Sequence, residues 1–356
     1  MKILADATLP GLHAAFPGPF ELTLYHDAKE IPLLLNDQQI LLCRSTLKVT
    51  QALLQNSSLS YVATASSGVD HIDEAYLKQR GIHLIDAKGS NAPAVADYII
   101  ASLAFLMIYK GFQGTKAAVI GAGKVGTKVA ERLKAADLQV IFYDPPKARL
   151  DANFQSSSLE EVLDCDLISI HANLHTAPPY PSLNLINENL LKQLKPGCVI
   201  INTSRGGIVN EKDLLHSKYP RLYCTDVFNN EPSLNAAIVN LATLCTPHIA
   251  GHSIEAKYAA VMMISEKLHG LYQLFPPKNI LSSPHEPPTF TAKLSWQDYV
   301  LSLYNPSFET DILKNTNDLE STFLSLRKAH DYRHDFFTYA DDLEGNEKLL
   351  QILGKG

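Results

Sequence analysis

Short apolar runs at residues 2–5, 21–25, 40–43, 61–64 and 83–86 alternate with polar or helix-like stretches through the start of the chain. Such alternation predicts a small α/β domain with a parallel sheet. Asn91-Ala92-Pro93-Ala94 then reads as a helix entry, with Asn as cap and Pro in the first turn. The helix that follows, 95–109, is apolar nearly all round, which predicts burial rather than a surface position. A second alternation of strands and helices runs through 116–120, 127–133, 138–143, 166–171, 187–194, 198–203, 211–218 and 222–228. It predicts a second doubly wound parallel sheet. A helical spacing of apolar residues over 253–275 is expected to return the chain to the first domain. Beyond it, Pro276-Pro277, Pro284 and Pro287-Pro288 read as a linker, and Leu294-Ser295-Trp296 opens a smaller segment whose 318–327 stretch has the pattern of a charged amphipathic helix.

The chain has 356 residues, too many for one ordinary core, so two or three domains are expected. The divisions predicted are 1–92 with 253–285, 93–252, and 286–356. A hydrophobic fraction of 46% with 19% charged residues is that of a globular protein. The net charge of −6, with no Lys/Arg-rich block, offers nucleic acid no general affinity. Asp6 comes too early for a signal-peptide core, and the apolar run 98–109 is too short for a bilayer, so a cytoplasmic protein without membrane attachment is expected. Cys43, Cys165, Cys198, Cys224 and Cys245 lack CxxC spacing and are expected as reduced core residues.

The stretch that organises the chemistry is Gly121-Ala122-Gly123-Lys124-Val125-Gly126, placed between an apolar strand and a helix. Gly121 permits a tight turn, Gly123 lets backbone N–H groups approach a pyrophosphate at the helix N-terminus, and Gly126 allows close helix–strand packing. The next strand ends in Asp144, where a carboxylate can bind a ribose 2′-hydroxyl and repel a 2′-phosphate, so NAD is the cofactor expected. Three further residues stand just beyond apolar runs. Arg205, before Gly206-Gly207, can hold a carboxylate bidentately. Glu231 lies on a loop ended by Pro232, and His248 can move a proton at neutral pH if a carboxylate holds its ring. His248 and His252 share the spacing of a zinc helix, as do His171 and His175, but Pro247 and the absence of HExxH argue against a metal. In the first domain, Arg44-Ser45-Thr46 and Thr64-Ala65-Ser66-Ser67-Gly68 end strands, where they serve either a ligand cleft or turn chemistry.

Taken together, the glycine loop, Asp144-Pro145-Pro146, Arg205-Gly206, Glu231-Pro232, His248-Ile249-Ala250-Gly251 and the run from Thr64 to Glu74 resemble the D-2-hydroxyacid dehydrogenases. The resemblance implies a flavodoxin-like substrate domain, a Rossmann NAD domain and a small C-terminal dimerisation module, the last through Phe323-Leu324-Ser325-Leu326-Arg327-Lys328. It implies a homodimeric, NAD-dependent enzyme that oxidises a small phosphorylated 2-hydroxy acid. His248 would take the hydroxyl proton, Glu231 would orient its ring, and Arg205 would hold the carboxylate. Gly121, Gly123, Lys124, Val125, Gly126, Asp144, Ala172, Thr203, Ser204, Arg205, Asp226 and Gly251 match cofactor positions. Ser45, Ser66 and His252 match substrate positions, with Ser66 standing for a Thr and His252 for a Tyr. Arg44, Ser45, Ser66 and a helix N-terminus near Ser67-Gly68 would receive a phosphate. The catalytic trio requires only a hydroxyl beside a carboxylate. It leaves open another D-2-hydroxy acid such as lactate or phosphoglycerate, or a scaffold that binds NAD without turnover.

Overall fold

The computed structural model describes residues 1–218, 222–278, 294–340 and 346–355. The described residues fall into two compact units, 1–91 with 253–278, and 92–252 with 294–355. Pro284, Pro287-Pro288 and the boundary expected at 285/286 lie outside the described residues.

The first unit holds five strands, β1 Lys2–Asp6, β2 Glu21–Tyr25, β3 Ile40–Cys43, β4 Tyr61–Thr64 and β5 His83–Asp86. They form an all-parallel sheet in the order β2-β1-β3-β4-β5. The chain reverses direction across the sheet between β1 and β3, so the carboxyl ends of these two strands flank the switch point where open α/β sheets bind ligands. β3 is buried along its whole length, as a central parallel strand covered on both faces must be. The helix Ile254–Leu271, capped by Ser253, buries Ala260, Val261, Met262, Ile264 and Leu268 against the same sheet.

The second unit contains β6 Lys116–Ile120, β7 Gln139–Tyr143, β8 Leu167–Ile170, β9 Val199–Asn202, β10 Leu222–Thr225 and β11 Leu244–Cys245. This sheet is also wholly parallel, ordered β11-β10-β9-β8-β6-β7, with its switch point between β6 and β8. The two-residue β11 carries no periodicity that a sequence could reveal. The stretches 187–194 and 211–218 form the helices Glu188–Gln193 and Glu211–His216, capped by Asn187 and Asn210.

The helix Ala92–Lys110 is long and apolar enough to cross a membrane by length and composition, being longer than the run 98–109 suggested. It is a core helix of this unit, with 72% of its most apolar window buried. Its one buried acid, Asp97, pairs with Arg132 at 2.9 Å and accepts the Phe336 N–H at 2.7 Å. Residues 294–340 and 346–355 pack into this unit: Tyr299, Val300, Phe336, Ile352 and Leu353 share a core with the helix Ala92–Lys110, while Leu313 and Phe323 join the core on the other face of the sheet. All five cysteines are buried free thiols.

Candidate active site

The glycine loop leaves β6 with Gly121 at φ +94°, a conformation that favours glycine, and a Cβ there would lie 2.7 Å from the Ala172 nitrogen. The ends of β6 and β8 therefore meet backbone to backbone at the switch point. A Cβ on Gly126 would fall 1.9 Å from the Gly121 carbonyl oxygen, so this glycine sets how closely the helix Lys124–Ala135 approaches its strand. Gly123 differs: a Cβ would meet nothing within 4 Å, and no side chain caps the helix that it begins. Open space before an uncapped helix N-terminus, where Lys124 and Val125 start the first turn, fits a pyrophosphate.

Asp144 closes this loop from the end of β7. Its Oδ2 accepts the Ala122 N–H at 2.8 Å and its Oδ1 accepts the Lys147 N–H at 3.0 Å. Each oxygen keeps a further lone pair for a ribose hydroxyl. Lys147, which the sequence reading missed, donates to the Ala122 carbonyl at 2.9 Å and ties the same loop from its other side.

The ends of β8 and β9 are joined by side chains. The Ser204 hydroxyl donates to the Ala172 carbonyl, and Thr203 Oγ1 lies 3.3 Å from His171 Nδ1. His171 Nε2 meets Ser169 Oγ at 2.7 Å, and burial pushes this imidazole down to about 3, so it serves as a neutral packing group. Asn202 folds the chain beyond β9 by accepting the Ser204 N–H at 3.1 Å and donating to the Arg205 carbonyl at 2.9 Å. Arg205 Nη1 donates to the Ser204 carbonyl at 2.8 Å. A Cβ on Gly206 would lie 2.2 Å from the Phe228 carbonyl carbon, so Arg205-Gly206 rests directly on the loop that carries Glu231.

Glu231 and His248, 17 residues apart, meet with Oε2 at 2.7 Å from Nδ1. The Phe228 N–H donates to Glu231 Oε1 at 2.8 Å, fixing the carboxylate on its own loop. Burial works to raise this carboxyl, but the hydrogen bond and charge of His248, the Phe228 N–H and the Arg327 guanidinium outweigh it and hold Glu231 below the usual glutamate range. An ionised Glu231 accepts the Nδ1 proton, which leaves the Nε2 lone pair free to act as a base.

His248 has φ +56°, an uncommon conformation for a residue with a Cβ. Asp226 sustains it from beneath. This carboxylate is 1% exposed and accepts from Ile249 N at 2.7 Å, Ala250 N at 2.8 Å and the Thr246 hydroxyl at 2.7 Å. Burial pushes Asp226 up to about 6, with the charge of His248 and these hydrogen bonds pulling the other way. Asp226, a cofactor position by the resemblance, thus also braces the His248 loop. Glu211 braces the neighbouring loop by accepting the Asn229 N–H at 2.9 Å. Gly251 follows Ala250, whose carbonyl accepts from the buried Arg333 at 2.6 Å, and the His252 ring lies 6.4 Å from that of His330.

In the first unit, Arg44 and Asp6 form an ion pair of 3.4 Å at the ends of β3 and β1, and Ser45 is exposed beside it. Ser66 differs from expectation. Its hydroxyl donates to the Gly68 carbonyl at 2.8 Å and lies 2.8 Å from Thr64 Oγ1, which meets His71 Nε2 at 3.0 Å. In this arrangement it offers a ligand an acceptor and not a donor. The helix N-terminus expected near Ser67-Gly68 is also not there. Residues 65–71 make bends and turns, and the helix Glu74–Arg80 begins after its cap, Asp73, because Val49 pairs with Ile72 in an isolated bridge.

Comparison with known proteins adds to this geometry. Residues 103–250 match the model of the D-isomer specific 2-hydroxyacid dehydrogenase NAD binding domain. The chain is 57% identical over 341 residues to an erythronate-4-phosphate dehydrogenase of Legionella pneumophila, covering 96% of this chain and 97% of that protein. It is 33% identical over 343 residues to the erythronate-4-phosphate dehydrogenase of Coxiella burnetii, covering 94% and 93%. In fold it is similar to the NAD+-bound 3-phosphoglycerate dehydrogenase of Entamoeba histolytica, with a TM-score of 0.65 at 21% identity over 80% of this chain and 99% of that one.

Proposed function

The chain belongs to the D-isomer specific 2-hydroxyacid dehydrogenases, and on that premise we propose that it oxidises 4-phospho-D-erythronate with NAD to 3-hydroxy-2-oxo-4-phosphooxybutanoate, a step towards pyridoxal phosphate. The observation that carries the proposal is the Glu231–His248 contact of 2.7 Å in a chain similar end to end to erythronate-4-phosphate dehydrogenases. NAD, when bound, supplies the acceptor for the hydride from C2. Gly121, Gly123, Gly126, Lys124, Val125, Asp144, Ala172, Thr203, Ser204, Arg205, Asp226 and Gly251 would hold it. His248 takes the C2 hydroxyl proton at Nε2 as the carbonyl forms, and Glu231 stabilises the imidazolium that results. Arg205 holds the substrate carboxylate and the carbonyl oxygen as it develops.

We assign the substrate phosphate to Arg44 and Ser45, and further contacts with other parts of the substrate to Ser66 and His252. A phosphate carries close to two negative charges and calls for cations and donors. The half-exposed Arg44, which is paired with Asp6, and the exposed Ser45 hydroxyl stand on adjacent residues and supply both. The same reading makes the protein a cytoplasmic homodimer that associates through its C-terminal segment.

A substrate panel tests the proposal. Purified protein with NAD is offered 4-phosphoerythronate, erythronate, D-3-phosphoglycerate and D-lactate, and NADH is followed. The phosphorylated four-carbon acid should give the highest kcat/KM, because binding energy from the remote phosphate aligns C2 for reaction. Erythronate matching its phosphate ester, or lactate exceeding it, would overturn the substrate assignment. NAD binding without turnover on any of the four would favour a scaffold.

A further inference from the structure

Among the described residues, the loop Phe228–Ser233 is gripped by one helix from the far end of the chain, Leu319–Ala329. Phe323, 1% exposed, packs edge-on against Phe228 with ring centroids 6.4 Å apart. The Ser233 hydroxyl bonds the Glu320 carboxylate across 87 residues of sequence. Between these two anchors, Arg327 Nη1 lies 3.9 Å from Glu231 Oε2, the oxygen that also meets His248 Nδ1. The helix therefore touches the loop at its start, at its catalytic carboxylate and just beyond.

A cation beside Glu231 favours the carboxylate that accepts from His248, and it opposes additional positive charge on the imidazole. Among the described residues, the other charged groups around the pair include Asp226 under the His248 loop, Glu211 on Asn229, and Arg205 at the end of β9. The two acids act in the opposite sense to Arg327. We infer that the helix Leu319–Ala329 is part of the catalytic apparatus, with Arg327 a positioning residue that keeps Glu231 ionised and aimed at His248. The inference rests on the dehydrogenase reading above. It gives the C-terminal segment a role inside its own protomer.

The test uses the full chain and the pH dependence of kcat/KM for oxidation of 4-phosphoerythronate. Arg327→Gln should lower kcat about tenfold, leave the KM for NAD within about twofold, and raise the pKa of the rising limb by about half a unit, as expected for losing a partly exposed charge. In a double-mutant cycle, adding Arg327→Gln to Glu231→Gln should cost little more than Glu231→Gln alone, since both act through one carboxylate. Lys328→Gln, an exposed neighbour that loses the same charge, should follow the wild type. An Arg327→Gln profile that superimposes on the wild type after scaling, or additive losses in the cycle, would overturn the inference. Arg327→Lys keeps the charge and decides the matter if the Gln variant folds poorly: its limb should stay in place, and a limb displaced by half a unit counts against the role. A wild type that ignores 4-phosphoerythronate sinks the substrate reading alone, and the same comparison then runs on whichever 2-hydroxy acid it oxidises.

Discussion

His248 holds its ring on Glu231 from a backbone with φ +56°, and the buried Asp226 accepts the two N–H groups that follow it in the chain. Because strain of this kind persists only where surroundings over-determine it, the loop positions the base before substrate arrives. His248→Ala should lower kcat by roughly 10²–10⁴-fold while NAD binding survives, the range for losing a general base; a fluorescence titration of NAD alongside the kinetics separates the two effects. Glu231 gives a second expectation. Its folded pKa is depressed, so the stability that it contributes is present above the unfolded glutamate value, about 4.3, and is lost as pH falls through the folded one. Melting temperatures of wild type and Glu231→Gln should therefore keep their gap from pH 7 down to about pH 5 and converge only as the pH falls below about 4.3. A gap that widens on acidification would show that the carboxylate is not held by charge. The residues that meet as Glu231 and His248 could be picked out because each lies beyond a strand and stands beside proline, as Arg205 stands beside glycine. Asp226 was legible as a site residue but not as a brace, since its partners are backbone groups more than 20 residues on. Arg327 gave no signal, because a contact between positions 231 and 327 exists only in the folded chain.

The strands that a sequence shows most plainly are those buried on both faces as unbroken apolar runs, as β1, β3, β4, β6, β8, β9 and β10 nearly are, whereas the edge strands β2, β5 and β7 are only partly buried. The two-residue β11 is defined by its neighbour β10 and by nothing in its own length. The turn over 65–71 illustrates the same limit: Ser, Gly and Asp suit a turn and a helix start alike, and the Val49–Ile72 bridge decides between them. The glycine loop separates two reasons for the same residue type. Gly126→Ala would place a methyl 1.9 Å from the Gly121 carbonyl oxygen, so the strand and helix must part. A cost of about 1–3 kcal/mol, the ordinary range for overpacking, is the minimum expected from an obstacle made of backbone. Gly123→Ala meets no protein atom within 4 Å, so its fold and melting temperature should hold while NAD affinity falls. Calorimetry and NAD titration on the two variants check the contrast. Equal destabilisation would mean that Gly123 is also structural, and unchanged affinity would remove the pyrophosphate from its side.

In the whole chain, the C-terminal segment has inner faces that pack on the second unit and outer faces that do not. Its inner faces complete the second unit, since Tyr299, Val300, Phe336 and Ile352 lie in a core shared with Ala92–Lys110. Removing the segment would open that core, so a truncated protein that aggregates says nothing about association. Its outer faces carry Phe308, 63% exposed, Ile312 one helical turn later and Leu324, 52% exposed. Large apolar side chains on neighbouring helices, left in water, are what a second copy of the chain would cover. Phe308→Glu and Leu324→Glu each replace an exposed apolar group with a charge and leave the shared core intact, so each folds as the wild type does. At micromolar concentration the wild type should sediment as a dimer and the double variant as a monomer, with unchanged circular dichroism. A double variant that remains dimeric would place the contact elsewhere, and a monomeric wild type would show that the C-terminal segment serves its own protomer alone.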